Sequence, residues 1–153
     1  MGNQVGYLHW RIRNGEVPDA LNSKIWWVLI GTNDLHSCEA RYIHVGILQV
    51  VEEIRKRKPD AIIVVNGILP HNNVQSEFWS SIKEINVKLE RSVQGEKNVY
   101  YFDAFPYFYD KARQNIRPEL YNGRVHLNEN GYKCWFEAIV NWTHTNLGID
   151  LTN

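Results

Sequence analysis

The sequence is poor in several features that mark particular classes of protein. It has two cysteines, Cys38 and Cys134, which stand far apart and outside the Cys/His spacings of zinc sites. We therefore expect no metal site, and two buried free thiols rather than a disulfide. No apolar stretch approaches the roughly 18 residues of a membrane-spanning helix, and the first residues lack the basic and apolar regions of a secretory signal. These absences predict a soluble protein without a membrane span, and the compartment stays open.

An excess of charge of either sign is lacking too. The 17 basic and 17 acidic residues cancel, so the composition does not predict electrostatic capture of nucleic acid. The basic run at residues 55–58 falls at the end of a predicted helix, where cations complement the helix dipole. The absence of a P-loop and of G-x-G-x-x-G after a strand argues against nucleotide binding. Three histidines show no metal-ligand spacing with one another: His36, His71 and His144.

Apolar and aromatic residues are plentiful by contrast. At 153 residues, 44% of them hydrophobic, the chain fits a single domain over residues 1–153 with its own core. Its six tryptophans and eight tyrosines exceed what a minimal core needs. Most of them should pack in the core, and the rest could line an apolar or sugar-binding cleft.

Three short apolar runs predict β-strands, at residues 25–30, 61–65 and 99–102. The second run is continuously aliphatic and rich in β-branched residues, which is typical of a parallel strand covered on both faces. Helical spacing predicts a short helix over residues 5–13 and a long one over about residues 38–58. The apolar positions of the long helix share one face: Ile43, Ile47, Val50, Val51 and Ile54.

Two further helices follow, separated by an aromatic stretch. Helical spacing of apolar residues from Phe78 to Leu89 predicts the third helix, and Asn128 marks the start of the last one. The aromatic stretch at residues 105–121 is expected to be irregular, with a helical turn near Lys111. The predicted buried stripe of the last helix is Trp135, Phe136, Ile139 and Val140.

The order of these elements is helix–β–α–β–α–β–loop–α. Such alternation predicts a parallel sheet with right-handed crossovers and helices on both faces, a three-layer α/β/α architecture. Three strands make a thin sheet, and one edge would expose unpaired main-chain groups beside very apolar side chains. We therefore expect that the sheet is truncated to about three strands and that the chain lacks the amino-terminal ones.

The segment Gly31-Thr32-Asn33-Asp34 follows the most hydrophobic of the three runs. It would place the Asn33 amide at the carboxyl edge of the sheet, where open α/β folds hold their sites. His126, in Val-His-Leu-Asn, could supply a base. Together they suggest acyl-transfer chemistry, and we expect the two side chains to face a common hollow beyond the strand ends. The alternative is that Asn33 and Asp34 simply cap the following helix.

At these two motifs the chain resembles the SGNH (GDSL-type) hydrolase superfamily. Residues 8–16, Leu-His-Trp-Arg-Ile-Arg-Asn-Gly-Glu, are similar to the Leu-Trp-Arg-Leu-x-Asn-Gly-Glu of the platelet-activating-factor acetylhydrolase catalytic-subunit branch. The match runs from Gly2 to about Leu147. It implies a flavodoxin-like sheet, hydrolysis of a small-molecule acyl or acetyl ester, and no metal or organic cofactor. Homo-oligomerisation stays open.

The resemblance also implies roles for individual residues. Asn33 would donate to the oxyanion of the tetrahedral intermediate through its amide, and Gly2 through its backbone N–H. His126 would be the catalytic base. Gly31 and Asp34, in the same motif as Asn33, would support the site. Residue 3, where the family usually has Asp, is Asn in this chain.

Two catalytic positions of the family are not filled. The Gly-Asp-Ser block that carries the nucleophile is absent, and Gly123 stands where Asp-x-x-His would place its Asp. None of the serines has the strand-to-helix elbow of G-x-S-x-G, and a cap is the simpler explanation for the one nearest the site, Ser37. Surface or capping roles are the simpler explanation for Asp103 and Asp110. The serines are Ser23, Ser37, Ser76, Ser80, Ser81 and Ser92.

Two hypotheses follow. In the first, the chain is the carboxyl-terminal portion of a serine ester hydrolase whose Gly-Asp-Ser segment lies upstream. In the second, it is a non-catalytic relative that keeps the sheet edge and cleft for binding or assembly. The loss of Asp at Gly123 favours the second, because two catalytic absences are harder to attribute to truncation than one. The chain by itself should hydrolyse esters weakly or not at all.

Overall fold

A computed structural model describes residues 2–73 and 77–152. The chain divides into two compact units, Met1–Ile68 with Ser80–Phe102, and Leu69–Trp79 with Asp103–Asn153. Its helices and strands are α1 (Val5–Arg11), β1 (Ile25–Val28), α2 (Ala40–Arg57), β2 (Ile62–Asn66), α3 (Trp79–Val93), β3 (Val99–Phe102), α4 (Phe105–Phe108), β4 (Tyr109–Asp110), β5 (Asn115–Ile116), β6 (Tyr121–Asn122), β7 (His126–Leu127) and α5 (Glu129–Leu147). Short turns at Ile12–Glu16, Thr32–Asp34 and Pro118–Leu120 complete the order.

The first unit is built on a parallel sheet of three strands in the order β1-β2-β3. The middle strand is the core of this sheet, and Ile63, Val64 and Val65 are completely buried. Because successive residues point to opposite faces, that burial requires cover on both faces, as the aliphatic run at residues 61–65 predicts. The thin parallel sheet of an α/β/α fold is confirmed.

The helices of the first unit begin and end close to the predicted positions. The five apolar positions of α2 that share one face are all buried. α1 packs closely against α2, since a Cβ built on Gly46 would lie 2.7 Å from Val5 Cγ1. In α3, the buried residues include Ile82, Ile85 and Leu89. Periodicity predicts these helices well because each buries a single apolar stripe.

The second unit contains the irregular aromatic stretch and α5. Two small antiparallel hairpins, β4–β5 and β6–β7, flank a short 3-10 turn. The helical turn expected near Lys111 is wrong, because the turn lies at α4 and Lys111 stands between β4 and β5. Asp110 causes the difference, since its Oδ1 accepts hydrogen bonds from the N–H groups of Ala112 and Arg113, at 2.9 and 3.1 Å.

The start of α5 is predicted correctly, but its buried stripe is not. The Asn128 side chain caps the helix by accepting from the Gly131 N–H at 3.0 Å. Phe136 is 57% exposed, whereas Gly131, Ala138 and Thr143 are buried. Small residues line this face because the backbone approaches closely there, and a Cβ on Gly131 would lie 2.1 Å from the Leu120 carbonyl oxygen.

Among the residues that the structure describes, no helix combines the length and hydrophobicity needed to cross a bilayer. Both thiols are free, which agrees with the expectation of no disulfide. The expectation that both are buried is wrong, because Cys38 is exposed and Cys134 is half-buried. A single domain over residues 1–153 stays a prediction.

Candidate functional site

The chain leaves β1 through a corner at Gly31. Its φ of +117° belongs to the left-handed region that side chains rarely adopt. A Cβ at this position would also lie 2.9 Å from Ile68 Cδ1, 3.1 Å from Ile43 Cγ2 and 3.2 Å from Ile47 Cδ1. Glycine is therefore required twice, by the backbone and by the packing. The corner places the Thr32–Asp34 turn directly beyond the strand.

Asp34 is a buried carboxylate that holds the start of α1. Its Oδ2 and Oδ1 accept from the Val5 N–H at 3.1 and 3.3 Å. Its carbonyl oxygen accepts from the N–H groups of Ser37 and Cys38. Burial raises the pKa of Asp34, and the hydrogen bond from Val5 opposes that shift in part. The expectation that Asp34 caps the helix that follows is wrong, because its carboxylate accepts from the N–H at the start of α1, whereas α2 begins without a side-chain cap.

Gly2 and Asn33 lie side by side. A Cβ built on Gly2 would fall 2.3 Å from Asn33 Nδ2 and 2.9 Å from its Cγ. Asn33 is exposed, and its Nδ2 donates to the Asn3 carbonyl oxygen at 2.9 Å. The two residues expected to donate to an oxyanion are therefore neighbours within the first unit. Any side chain at residue 2 would displace the carboxamide.

Residues of the 8–16 motif form a second layer behind Asn33. Arg11 Nη1 donates to Asn3 Oδ1 at 2.8 Å, and Arg11 Nε donates to Glu16 Oε2. From the sequence alone this motif indicates the family, and these hydrogen bonds are not predicted. The signal available in the sequence is an arginine and a glutamate five positions apart across an Asn-Gly pair.

His126 belongs to the second unit, on β7, where it pairs with Asn122 of β6 and is exposed. Gly123 lies in the intervening turn with a φ of +79°. Its carbonyl oxygen accepts from Asn72 Nδ2 at 3.1 Å. The turn favours glycine at the position where the family motif has Asp. Because Asn33 lies in the other unit, a common hollow for Asn33 and His126 stays a prediction.

The simpler explanations of Asp103 and Asp110 are confirmed, whereas the cap expected of Ser37 is not formed, because α2 begins after Glu39 without a side-chain cap. Ser37 Oγ donates to the Asp34 carbonyl oxygen and accepts from Gln4 Nε2, both at 3.4 Å. Asp103 Oδ1 accepts from the Phe105 N–H at 3.1 Å, and Asp110 holds the β4–β5 turn described above. These groups have local structural tasks.

One serine has an unforeseen partner. Ser92 Oγ lies 3.0 Å from His44 Nε2, between α3 and α2. Burial lowers the pKa of His44, and the charge of Lys88 lowers it further. Ser92 is exposed inside a helix and not at a strand-to-helix elbow, so it lacks the setting of a family nucleophile. Ser76 lies outside the described residues.

In the part of the chain that the structure describes, no group of three or more His, Cys, Asp or Glu side chains is placed to hold a metal ion. At the Gly2–Asn33 corner the Asn33 carboxamide is a hydrogen-bond donor.

Residues 2–134 match the family model described as the GDSL-like Lipase/Acylhydrolase family. The chain is 28% identical over 131 residues to platelet-activating factor acetylhydrolase IB subunit alpha1 of Rattus norvegicus. The aligned residues cover 86% of this chain and 55% of that protein. The chain thus spans about half the length of the curated relatives it matches.

Two solved structures show the same fold at low sequence identity. A GDSL-like lipase from Bacteroides thetaiotaomicron superposes with a TM-score of 0.77 at 14% identity, over 94% of this chain and 72% of the other. A family 3 carbohydrate esterase from Clostridium thermocellum gives a TM-score of 0.69 at 18% identity, over 95% of this chain and 67% of the other.

Proposed function

Because this chain belongs to the GDSL-like lipase/acylhydrolase family, we propose that it supplies the oxyanion donors and the base of a serine ester hydrolase. The observation that carries the proposal is the contact between Gly2 and the Asn33 carboxamide. The substrate class is a carboxylic ester, acyl or acetyl, of a lipid, a sugar or another small alcohol. The relatives named above, an acetylhydrolase, a lipase and a carbohydrate esterase, support an ester as substrate. No nucleic acid is expected as partner.

The tetrahedral intermediate of ester hydrolysis carries a negatively charged oxygen, and this charge already develops in the transition state that leads to it. Two preorganised donors from adjacent residues suit this task, because their dipoles need no rearrangement as charge develops. Asn33 has two amide hydrogens, and Asn3 takes only one of them. The other hydrogen and the Gly2 N–H are the donors that we assign to the oxyanion.

His126 is the proposed base. A neutral imidazole would take the proton of the attacking serine and return it to the leaving alcohol. Its exposure on β7 leaves the ring accessible to a substrate. With glycine at residue 123, no carboxylate at that position orients the ring, and a backbone carbonyl would have to hold its tautomer.

The nucleophile of the proposed reaction is the serine of a Gly-Asp-Ser segment that this chain does not contain. Reading the transcript upstream of Met1 tests the proposal first, since an in-frame Gly-Asp-Ser codon run should precede it. The gene product that carries this segment should hydrolyse p-nitrophenyl acetate and be labelled at that serine by a fluorophosphonate probe. A transcript with an upstream stop codon and no such segment would defeat the proposal.

The 153-residue chain provides the matched negative sample for the same assay. It should hydrolyse p-nitrophenyl acetate weakly or not at all, and the probe should leave it unlabelled. Labelling at Ser92 in this chain, abolished by Ser92→Ala, would show that the serine beside His44 is reactive and would contradict our assignment of the nucleophile.

A second candidate function is binding or assembly without catalysis. The observation that favours it is Gly123, which stands in the β6–β7 turn with a φ of +79°, where the family motif has Asp. The two candidates are separated by the same measurement. A gene product with Gly-Asp-Ser that neither reacts with the fluorophosphonate nor hydrolyses the ester would be a non-catalytic relative.

A further inference from the structure

We propose that Arg11 is a positioning residue that fixes the Asn33 carboxamide through Asn3. The inference rests on the proposed function in one respect, the role of Asn33 as an oxyanion donor. The contacts themselves lie within the first unit and do not involve His126 or the missing nucleophile.

The contacts form an unbroken chain from a surface ion pair to the candidate donor. Glu16 accepts from Arg11 Nε, and Arg11 Nη1 donates to Asn3 Oδ1 at 2.8 Å. The carbonyl oxygen of Asn3 then accepts from Asn33 Nδ2 at 2.9 Å. Arg11 therefore holds the side chain of Asn3, and the backbone carbonyl of Asn3 holds the side chain of Asn33. The orientation of residue 3 thus sets the position of the Asn33 amide.

The guanidinium is suited to this task because it is planar and its donors have fixed directions. Arg11 uses Nε toward Glu16 and Nη1 toward Asn3, which requires two donors in one rigid plane. A lysine ammonium is a point charge on a flexible stem and would not set both directions. Glu16 thus fixes the guanidinium plane of Arg11, and Arg11 fixes Asn3.

The backbone between Arg11 and Glu16 is shaped to close this pair. After α1 the chain continues into the π-helical turn Ile12–Glu16, where Gly15 has a φ of +102°. Asn14 Nδ2 donates to the Trp10 carbonyl oxygen at 2.7 Å. This turn returns Glu16 to the guanidinium, so the Arg…Asn-Gly-Glu pattern of the 8–16 motif has a local purpose: it builds the support behind Asn33.

The consequence for the proposed reaction follows from geometry. An oxyanion donor is effective within roughly 2.7–3.1 Å of the charged oxygen, and a misplacement of about 1 Å can cost on the order of 10²-fold in rate. Asn3 is exposed and lies two residues before α1 begins at Val5. Without Arg11 its carbonyl would be free to turn, and the Asn33 amide would lose its fixed direction.

The test that does not depend on catalysis is NMR of the whole 153-residue chain. The side-chain ¹⁵N–¹H resonances of Asn33 are identified by their loss in Asn33→Asp. In Arg11→Gln these resonances should shift, and their exchange with solvent should rise about tenfold, as for the loss of one hydrogen bond. Glu16→Gln should give a smaller change of the same sign, and Asn3→Asp should leave the resonances near their original positions.

Arg55→Gln is the matched control. Arg55 also lies on the surface of the first unit and pairs with two carboxylates, Glu52 at 3.6 Å and Glu96 at 3.0 Å. Neither carboxylate belongs to the series of hydrogen bonds that joins Glu16 to Asn33. It should lose ion pairs without moving the Asn33 resonances. Unchanged Asn33 resonances in both Arg11→Gln and Glu16→Gln would overturn the inference. If Arg11→Gln fails to fold, Glu16→Gln, which leaves Arg11 in place, decides alone.

Kinetics of the gene product that carries Gly-Asp-Ser separate this inference from the proposed function. Arg11→Gln should lower kcat about tenfold or more with little change in KM. Arg11→Lys should lower kcat as well, whereas Asn3→Asp, which keeps an acceptor for Arg11, should retain the kcat of the unaltered product. If the unaltered product hydrolyses esters and Arg11→Gln equals Arg55→Gln, the positioning role is wrong while the hydrolase stands. If no variant hydrolyses esters but the NMR shifts occur, the positioning stands and the hydrolase is wrong.

Discussion

At the scale of single residues, substitutions at two glycines with positive φ can distinguish the cost of backbone strain from the cost of overpacking. Gly31 has a φ of +117° and three isoleucine side chains within 3.2 Å of its would-be Cβ, whereas Gly95 has a φ of +82° and nothing within 4 Å. Gly95→Ala should therefore lower the free energy of unfolding by about 1–2 kcal/mol, the cost of left-handed backbone alone.

Gly31→Ala should cost more, because the same strain is joined by overpacking worth about 1–3 kcal/mol. We expect a loss of about 2–5 kcal/mol, measured by urea denaturation beside Gly95→Ala. Equal losses for the two variants would mean that Ile43, Ile47 and Ile68 yield to the added methyl, and that the corner before Asn33 is not tightly packed.

Asp34 makes the stability of the fold depend on pH. Its pKa is raised in the fold by burial, so its contribution to stability is present below the unfolded pKa of 3.8 and is lost as the pH rises through the folded value. Asp34→Asn retains an acceptor for the Val5 N–H and removes this dependence. As the pH falls from about 7 to below 4, the unaltered chain should therefore become more stable relative to Asp34→Asn, as measured by the free energy of unfolding.

Asp150→Asn is the control with the opposite sign. Hydrogen bonds from the Thr152 hydroxyl and N–H lower the pKa of Asp150 below its ordinary value, so its contribution is lost as the pH falls through that lowered value. Urea denaturation at a series of pH values measures both variants. A pH-independent difference between Asp34→Asn and the unaltered chain would show that burial does not dominate at Asp34.

The chemistry of these residues could be predicted only where a motif carries it. Asn33, Gly2 and Gly31 were identified by family spacing, and the structure places all three within one corner. The partner of Asp34 could not be predicted, because Val5 lies 29 positions away in sequence. The link from Arg11 to Asn33 could not be predicted either, because it runs through both the side chain and the backbone carbonyl of Asn3.

At the scale of elements, the helix cap of α5 also ties the helix to the preceding turn. Asn128 accepts from the Gly131 N–H and donates through Nδ2 to the carbonyl oxygens of Glu119, at 2.8 Å, and Tyr121, at 3.3 Å. Asn128→Ala removes the cap and both tethers, and we expect a loss of about 2 kcal/mol in the free energy of unfolding.

The control for this prediction is Asn146→Ala on the same helix. Asn146 is exposed, and its Nδ2 donates to the carbonyl oxygen of Trp142 within the helix at 2.9 Å. It should change the free energy of unfolding by no more than about 0.5 kcal/mol. Thermal denaturation of the two variants compares them, and similar midpoints would mean that the cap of α5 contributes little.

The elements that could be predicted are those with one strong period. The stripe of α2 and the aliphatic run of β2 specify their elements because burial on one face, or on both, dictates the pattern. The stretch at residues 105–121 has no period, and side-chain hydrogen bonds such as those of Asp110 decide its turns. In α5 the large apolar residues misled the assignment, because close backbone approach at Gly131 selects small ones.

At the scale of the whole molecule, the order of helices and strands predicts a parallel sheet of about three strands, and the structure adds the strand order β1-β2-β3. Parallel neighbours joined by helices leave few alternatives once the number of strands is known. The order of elements does not predict whether Asn33 and His126 act in one site, because the two residues belong to different compact units. That pairing is the part of the proposed function that kinetics must test.

The most direct measurement is the effect of Asn33→Ala on ester hydrolysis by the gene product that carries Gly-Asp-Ser, beside Asn146→Ala as a control. If Asn33 donates to the oxyanion, kcat for p-nitrophenyl acetate should fall on the order of 10²–10³-fold while KM changes little. Equal kcat values for Asn33→Ala and the unaltered protein, with the serine still labelled by the fluorophosphonate, would contradict the account.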